Sequence, residues 1–251
     1  MNWFVCPQPR PSAAAQLFCL PYAGAGASAY HRWLTAIGPE LEVAAVQLPG
    51  RENRIIEDPG FSIAELAAAI TGRADRPYAL YGHSLGGRYA FEVVRHLHSI
   101  GGRLPVRLYV GACRAPHLRV SGPFDGLSKL DDDELLRRVT EGGGLSEAVL
   151  AEPELVELLL PVLRADFQKL DDYVFVEGAP IPVPIVAFAG RDDKAVPLAD
   201  ILAWDRHAGS GLTVHEVDGD HFFLQHERTE VLDLLPGDLL DAAGRVAADG
   251  R

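Results

Sequence analysis

The chain has 251 residues, 48% of them hydrophobic and 23% charged, with a formal net charge of −12. That length and apolar content suit one cored domain and exclude a disordered or fibrous chain. The acidic balance argues against nucleic acid or an anionic membrane as the main partner, and no apolar run reaches the 18 residues of a membrane span.

The first residues, MNWFVCPQPRPSAAA, lack the basic start and apolar core of a secretion signal. Three widely spaced cysteines, Cys6, Cys19 and Cys113, fit a reducing compartment better than a disulfide framework. A cytoplasmic protein is expected.

In chain order, Gln16–Leu20 is a short apolar run stopped by Pro21 and reads as a buried strand. Ser28 offers an N-cap for a helix to about Ile37, and Val43–Leu48 is a second strand ended by Pro49 and Gly50. Ser62 and Glu65 have capping-box spacing ahead of a helix over Ile63–Thr71. Tyr78–Tyr81 is a third strand, Leu85 to about His98 a helix, and Val106–Gly111 a fourth strand. Such alternation predicts an α/β fold with a mostly parallel sheet covered by helices on both faces.

From about Leu118 to Glu177 the rhythm changes. Helical segments around Asp131–Leu136 and Glu154–Leu170 replace strands, and this stretch carries most of the excess negative charge. It reads as a helical insertion into one domain spanning 1–251, a lid with Gly142–Gly144 as its hinge. Alternation then resumes with a strand at Ile185–Ala189, a helix at Pro197–His207, a strand at Leu212–Val217 and a helix at Thr229–Val246, broken or bent at Pro236 and Gly237.

The chemistry concentrates at Gly82-His83-Ser84-Leu85-Gly86, a Gly-x-Ser-x-Gly between a strand and a helix. Small residues two before and two after the serine permit a sharp turn that projects its hydroxyl above the sheet. Serine needs a base oriented by an acid, and in this arrangement the acid and then the base follow later strands. Asp192 and Asp193 follow the strand at Ile185–Ala189, and His221 follows the last one. His221 is therefore the expected base and Asp192 or Asp193 the acid; His83 points elsewhere, and His96, His98, His207, His215 and His226 sit in helices or a strand. Backbone N–H groups for an oxyanion are expected from Leu85 and from Ala23 or Tyr22 in the loop after the first strand.

Gly24-x-Gly26-x-x-Ala29 in that loop mimics a dinucleotide fingerprint, but the following strand ends in Gln47-Leu48 without the required acid. No Walker loop, HExxH, CxxC or EF-hand pattern is present, so no cofactor or metal is expected.

Further segments carry a resemblance. Phe18–Gly24, Gln47-Leu48-Pro49-Gly50-Arg51-Glu52-Asn53-Arg54, Gly82–Gly87, Gly111–His117, Leu163-Arg164-Ala165-Asp166-Phe167, Gly190–Asp193 and Asp218–Leu224 occur in order. Together they resemble the type II thioesterases of polyketide synthases and nonribosomal peptide synthetases, over roughly residues 16 to 235. The resemblance implies an α/β-hydrolase that removes stalled or aberrant acyl groups from the phosphopantetheine arm of acyl or peptidyl carrier domains. It maps the nucleophile to Ser84, the base to His221 and the acid to Asp193, with the insertion as lid; of the oxyanion donors read from the residues, Ala23 and Leu85 are the expected pair.

A monomer is expected. A carrier domain, being acidic, would dock through apolar contacts and through basic residues outside the insertion, such as Arg51, Arg54, Arg88 or Arg114. Phe222, Phe223 and Trp33 are candidates to line the acyl pocket. A general carboxylesterase or lipase and an acyltransferase are the alternatives on the same scaffold.

Overall fold

Strand-forming apolar runs separated by helices assemble into one sheet in the computed structural model, which describes residues 3–226 and 229–249. Among the described residues, seven strands, β1 (Phe4–Val5), β2 (Ala15–Leu20), β3 (Leu41–Val46), β4 (Tyr78–His83), β5 (Arg107–Gly111), β6 (Ile185–Gly190) and β7 (Leu212–Val217), lie in the order β1-β3-β2-β4-β5-β6-β7. Only β1 runs antiparallel to its neighbour; every other pairing is parallel. The central strands β2, β3 and β4 are buried along their whole length, as a sheet covered on both faces requires.

The helices are α1 (His31–Ala36), α2 (Ile63–Arg73), α3 (Leu85–Ser99), α4 (Asp132–Glu141), α5 (Glu147–Leu150), α6 (Pro153–Asp171), α7 (Leu198–Leu202) and α8 (Glu230–Asp249). On one face, α2 and α3 bury Leu66, Ile70, Phe91 and Val94 against Phe18, Leu80 and Val110. On the other, α1 and α8 bury Trp33, Val231, Leu235 and Leu239 against Leu17, Tyr81 and Tyr109. This is the α/β-hydrolase architecture that the resemblance implies.

Several expectations need local correction. Ser28 does not cap α1: a 3₁₀ turn over Ala27–Tyr30 precedes the helix, and the Ser28 hydroxyl donates to Glu52 at 2.6 Å. β3 runs two residues earlier than its apolar run suggests, because beyond Val46 the Gln47 side chain accepts from the Ala27 amide and donates to the Arg51 carbonyl. The Pro197–His207 segment is α7 followed by a 3₁₀ turn over Ala203–His207. α8 is not ended by Pro236, since Val231 and Leu235 before it and Leu239 and Ala243 after it share one buried stripe. The capping box at Ser62 and Glu65 is present with both bonds.

Between β5 and β6 lie α4, α5 and α6, whose Leu127, Leu135, Val139, Leu163 and Phe167 form a small core of their own. Asp131 caps α4 by accepting from the Glu134 amide at 2.9 Å. The triple glycine closes that helix: Gly144 donates to the Val139 carbonyl and Gly143, at φ +84°, to that of Thr140. That is a Schellman cap, an assigned structural task for residues expected to form a hinge.

Candidate active site

β4 ends at His83 and α3 begins at Leu85, so Ser84 alone makes the turn, at φ +51° and ψ −116°. Two close approaches force glycine beside it. A Cβ at Gly82 would strike the Gly86 carbonyl, and one at Gly86 would strike the Leu20 carbonyl. The turn sets Ser84 at the N-terminus of a 15-residue helix, whose dipole favours negative charge at that end.

The three side chains predicted from sequence meet there. His221 Nε2 lies 3.0 Å from Ser84 Oγ, and His221 Nδ1 lies 2.9 Å from Asp193 Oδ2. Asp193 Oδ1 accepts from the Ala195 and Val196 amides at 2.8 and 2.9 Å, which fixes the carboxylate in one orientation. Burial raises the Asp193 carboxyl, but its bond to His221, the electrostatic pull of that ring and the two amides outweigh that and hold it below the usual carboxylate value. An ionised Asp193 makes Nδ1 the protonated nitrogen, leaving Nε2 to accept from Ser84. Asp192, left open as an alternative acid by the residue pattern, is exposed and has no side-chain partner among the described residues.

His83, which the sequence excludes as the base, has a structural task. Its ring is buried, with Nε2 donating to the His221 carbonyl at 2.6 Å and Nδ1 accepting from the Tyr81 hydroxyl at 3.2 Å. Burial, and then the nearness of His221, lower its pKa to about 3, so the ring is a neutral brace under the loop that carries His221. Gly82-His83-Ser84 therefore supplies both the turn and a strut.

The loop that follows β2 is tied to α6. Asp166 Oδ2 accepts from the Gly24 amide at 2.9 Å and from Arg51 Nη1 at 2.8 Å, Asp166 Oδ1 accepts from Arg51 Nη2 at 3.1 Å, and Arg51 Nη1 also reaches the Ala25 carbonyl at 2.9 Å. Both side chains are almost wholly buried. The Gly24 amide is thus occupied, while Ala23 lines the space beside Ser84.

Arg51 therefore faces inward, and so do the other three arginines expected to dock a partner. Arg54 is bound to Glu57 and the Gln47 carbonyl, Arg88 stacks 4.2 Å over Tyr173, and Arg114 bonds Ser121, Asp200 and the Ala195 carbonyl. All four are buried, so the expectation that they form a docking surface is wrong. Their long stems fill core space while their heads satisfy carbonyls and carboxylates inside the fold.

Two small spaces of about 40 and 20 Å³ flank Ser84, and the Phe124 ring lines both, 5.0 Å from the His221 ring. Of the aromatic residues expected at the acyl pocket, Phe222 lines one of these spaces. Trp33 and Phe223 are fully buried in the core under the sheet instead. Phe124, on a 3₁₀ turn over Gly122–Phe124, carried no sequence signal.

Residues 15–239 match the thioesterase domain family. The chain belongs to the thioesterase family. It is 34% identical to the gramicidin S biosynthesis protein GrsT of Aneurinibacillus migulanus, covering 93% of this chain and 92% of that one. It is also 34% identical to the thioesterase PikA5 of Streptomyces venezuelae, covering 97% and 86%. The solved type II thioesterase BorB from the borrelidin biosynthetic cluster superposes with a TM-score of 0.82 at 35% identity, covering 95% and 97%. This thioesterase is accordingly a hydrolase of thioester bonds on an α/β-hydrolase fold.

Proposed function

We propose that this thioesterase clears stalled or aberrant acyl groups from the phosphopantetheine arm of acyl or peptidyl carrier domains, in polyketide or nonribosomal peptide assembly, through a Ser84–His221–Asp193 acyl-enzyme. The carrying observation is His221, bonded on one side to Ser84 at 3.0 Å and on the other to Asp193 at 2.9 Å. Similarity to GrsT, PikA5 and BorB supports the biosynthetic setting.

In the first half-reaction the Ser84 hydroxyl gives its proton to His221 Nε2 while Oγ bonds to the thioester carbonyl carbon. The charge on the carbonyl oxygen rests on the Leu85 and Ala23 N–H groups, each on the scale of 3 kcal/mol of transition-state stabilisation. The C–S bond then breaks, and the His221 proton goes to the departing thiolate. Water next attacks the acyl-serine, gives a proton to His221, and leaves as part of the carboxylic acid while Ser84 recovers its hydrogen. Asp193 keeps His221 in the Nδ1–H tautomer throughout and stabilises its cation.

The helices between β5 and β6 act as the lid over this site in our reading. Among the described residues no helix is long and apolar enough to cross a membrane, and all three cysteines are free; we place the enzyme in the cytoplasm, as a monomer. The test presents one short acyl group as a carrier thioester, a pantetheine thioester and an oxygen ester to wild type and Ser84→Ala. Preference for the carrier thioester, abolished in the variant, is the expected result. Faster cleavage of the oxygen ester would make it a general esterase, and net transfer to an added alcohol or amine would make it an acyltransferase.

A further inference from the structure

The two spaces beside Ser84 adjoin different surroundings. The one lined by Leu85, Val120 and Leu170 shares Arg88, Val120 and Leu170 with a cleft of about 540 Å³ under the segment that follows β5. The other, lined by Tyr22, Ala23 and Phe222, shares Tyr22, Ala23 and Gly144 with a groove of about 630 Å³. Leucines 145, 159, 163 and 224 make that groove largely apolar.

The cleft is different in charge. Arg119 and Lys129 stand exposed on its wall, and neither side chain has a hydrogen-bond or ion-pair partner among the described residues. The other charges there are mostly committed. Arg206 pairs with Glu177 at 2.7 Å, Arg88 lies over Tyr173, and Asp171 accepts from the Gly126 and Ser128 amides and the Ser128 hydroxyl. Asp125 is the carboxylate on this wall without a side-chain partner, and it subtracts from the cationic excess. Backbone support is firm, since Arg114 donates to the Arg119 carbonyl and to the Ser121 hydroxyl, each at 2.7 Å. In a chain of net charge −12, two uncommitted cations on a cleft that adjoins the space at Ser84 through Arg88, Val120 and Leu170 form a distinct anion-attracting point.

A carrier-borne thioester has one end apolar and the other a phosphodiester. We propose that Arg119 and Lys129 hold the phosphate of the phosphopantetheine arm, which enters by the polar cleft past Val120 and Leu170, and that the acyl chain extends into the leucine-lined groove on the far side of Ser84. This rests on the carrier-arm reading above. It gives the substrate one direction through the site and assigns the recognition of the phosphate to two residues outside the reacting centre.

The experiment compares one acyl group on free phosphopantetheine and on free pantetheine, which differ only in the phosphate and contain no carrier protein. Wild type should favour the phosphorylated thioester about tenfold in kcat/KM, through KM, as two partly exposed charge-assisted contacts allow. In Arg119→Ala/Lys129→Ala the ratio of the two should fall to about one, and in wild type it should shrink between low and high salt. Because the ratio is internal to each protein, altered folding or altered chemistry at Ser84 cancels from it. A wild-type ratio near one, or a ratio that survives the double substitution, overturns the assignment. A ratio lost instead in Arg32→Ala, a substitution at the apolar groove, would reverse the direction of the substrate and overturn it as well. If folded wild type cleaves oxygen esters but neither arm thioester, the carrier-arm reading itself fails, a result distinct from a lost phosphate preference.

Discussion

Asp166 joins Arg51 to the amide of Gly24, so that a carboxylate on α6 fixes the loop that lines Ser84. The Pro-Gly-Arg-Glu and Leu-Arg-Ala-Asp-Phe segments, distant in sequence, are the two halves of this one buried pair. Removing the cation strands a charge where water cannot reach it. Arg51→Ala should therefore lose about 3–5 kcal/mol in urea unfolding. Asp166→Asn keeps an acceptor for Gly24 and should retain more kcat than Asp166→Leu. Equal kcat in wild type and a folded Asp166→Leu would show that the loop needs no tether.

The acid assignment separates two neighbouring aspartates by burial. Asp193→Asn should reduce kcat by about 10³-fold or more, because His221 would then be held in the wrong tautomer. Asp192→Asn, at an exposed position, should change kcat less than twofold. Steady-state rates on a soluble acyl thioester decide between them, and the reverse ranking would transfer the role to Asp192.

Stability should fall on the acid side of neutrality. His83 is neutral in the fold down to about pH 3, whereas an unfolded histidine titrates near 6.5. Between those values the unfolded chain binds a proton that the folded one does not, so unfolding free energy rises with pH by about 1.4 kcal/mol per unit from this group. Its contribution is complete above 6.5 and is lost progressively as pH falls toward 3. His207, lowered to about 4 by burial and by the facing His117, acts in the same direction, and the lowered Asp193 extends the loss below the ordinary carboxylate value. Urea unfolding of wild type and His83→Gln at pH 7 and 4.5 should show the shallower dependence in the variant. Parallel curves would place the acid sensitivity elsewhere.

Phe124 controls the room beside Ser84. Spaces of about 40 and 20 Å³ hold a few waters at most, not an acyl chain, and the Phe124 ring is a side chain common to both. Phe124→Ala merges the two spaces and should raise kcat/KM for a branched acyl group relative to acetyl by about tenfold. An unchanged ratio would mean that other residues set the size limit.

Much of this was legible in the chain. Strand–helix alternation marks the α/β class, and Gly82, Ser84 and Gly86 announce their turn because only tiny residues survive the approach of neighbouring carbonyls. His221 is marked by its place after the last strand. What sequence did not reveal are pairings across long separations, such as His83 to the His221 carbonyl and Arg51 to Asp166. A signal for the second was present. Asp166 lies on the same face of α6 as Leu163 and Phe167, both buried, and a carboxylate on an apolar stripe requires an internal cation. Arginines 51, 54, 88 and 114 misled for the converse reason, since residue type alone does not tell a solvated guanidinium from one spent on carbonyls inside the fold.

The backbone at Ser84 has a consequence for the evolution of this chain. A serine held at φ +51° costs on the order of 1–3 kcal/mol that a glycine would largely avoid. The position that confers turnover is thus one where an inactivating change would make the protein more robust to heat. Any lineage drifting under selection for durability alone would be drawn toward losing its nucleophile, and the serine persists only while the reaction matters.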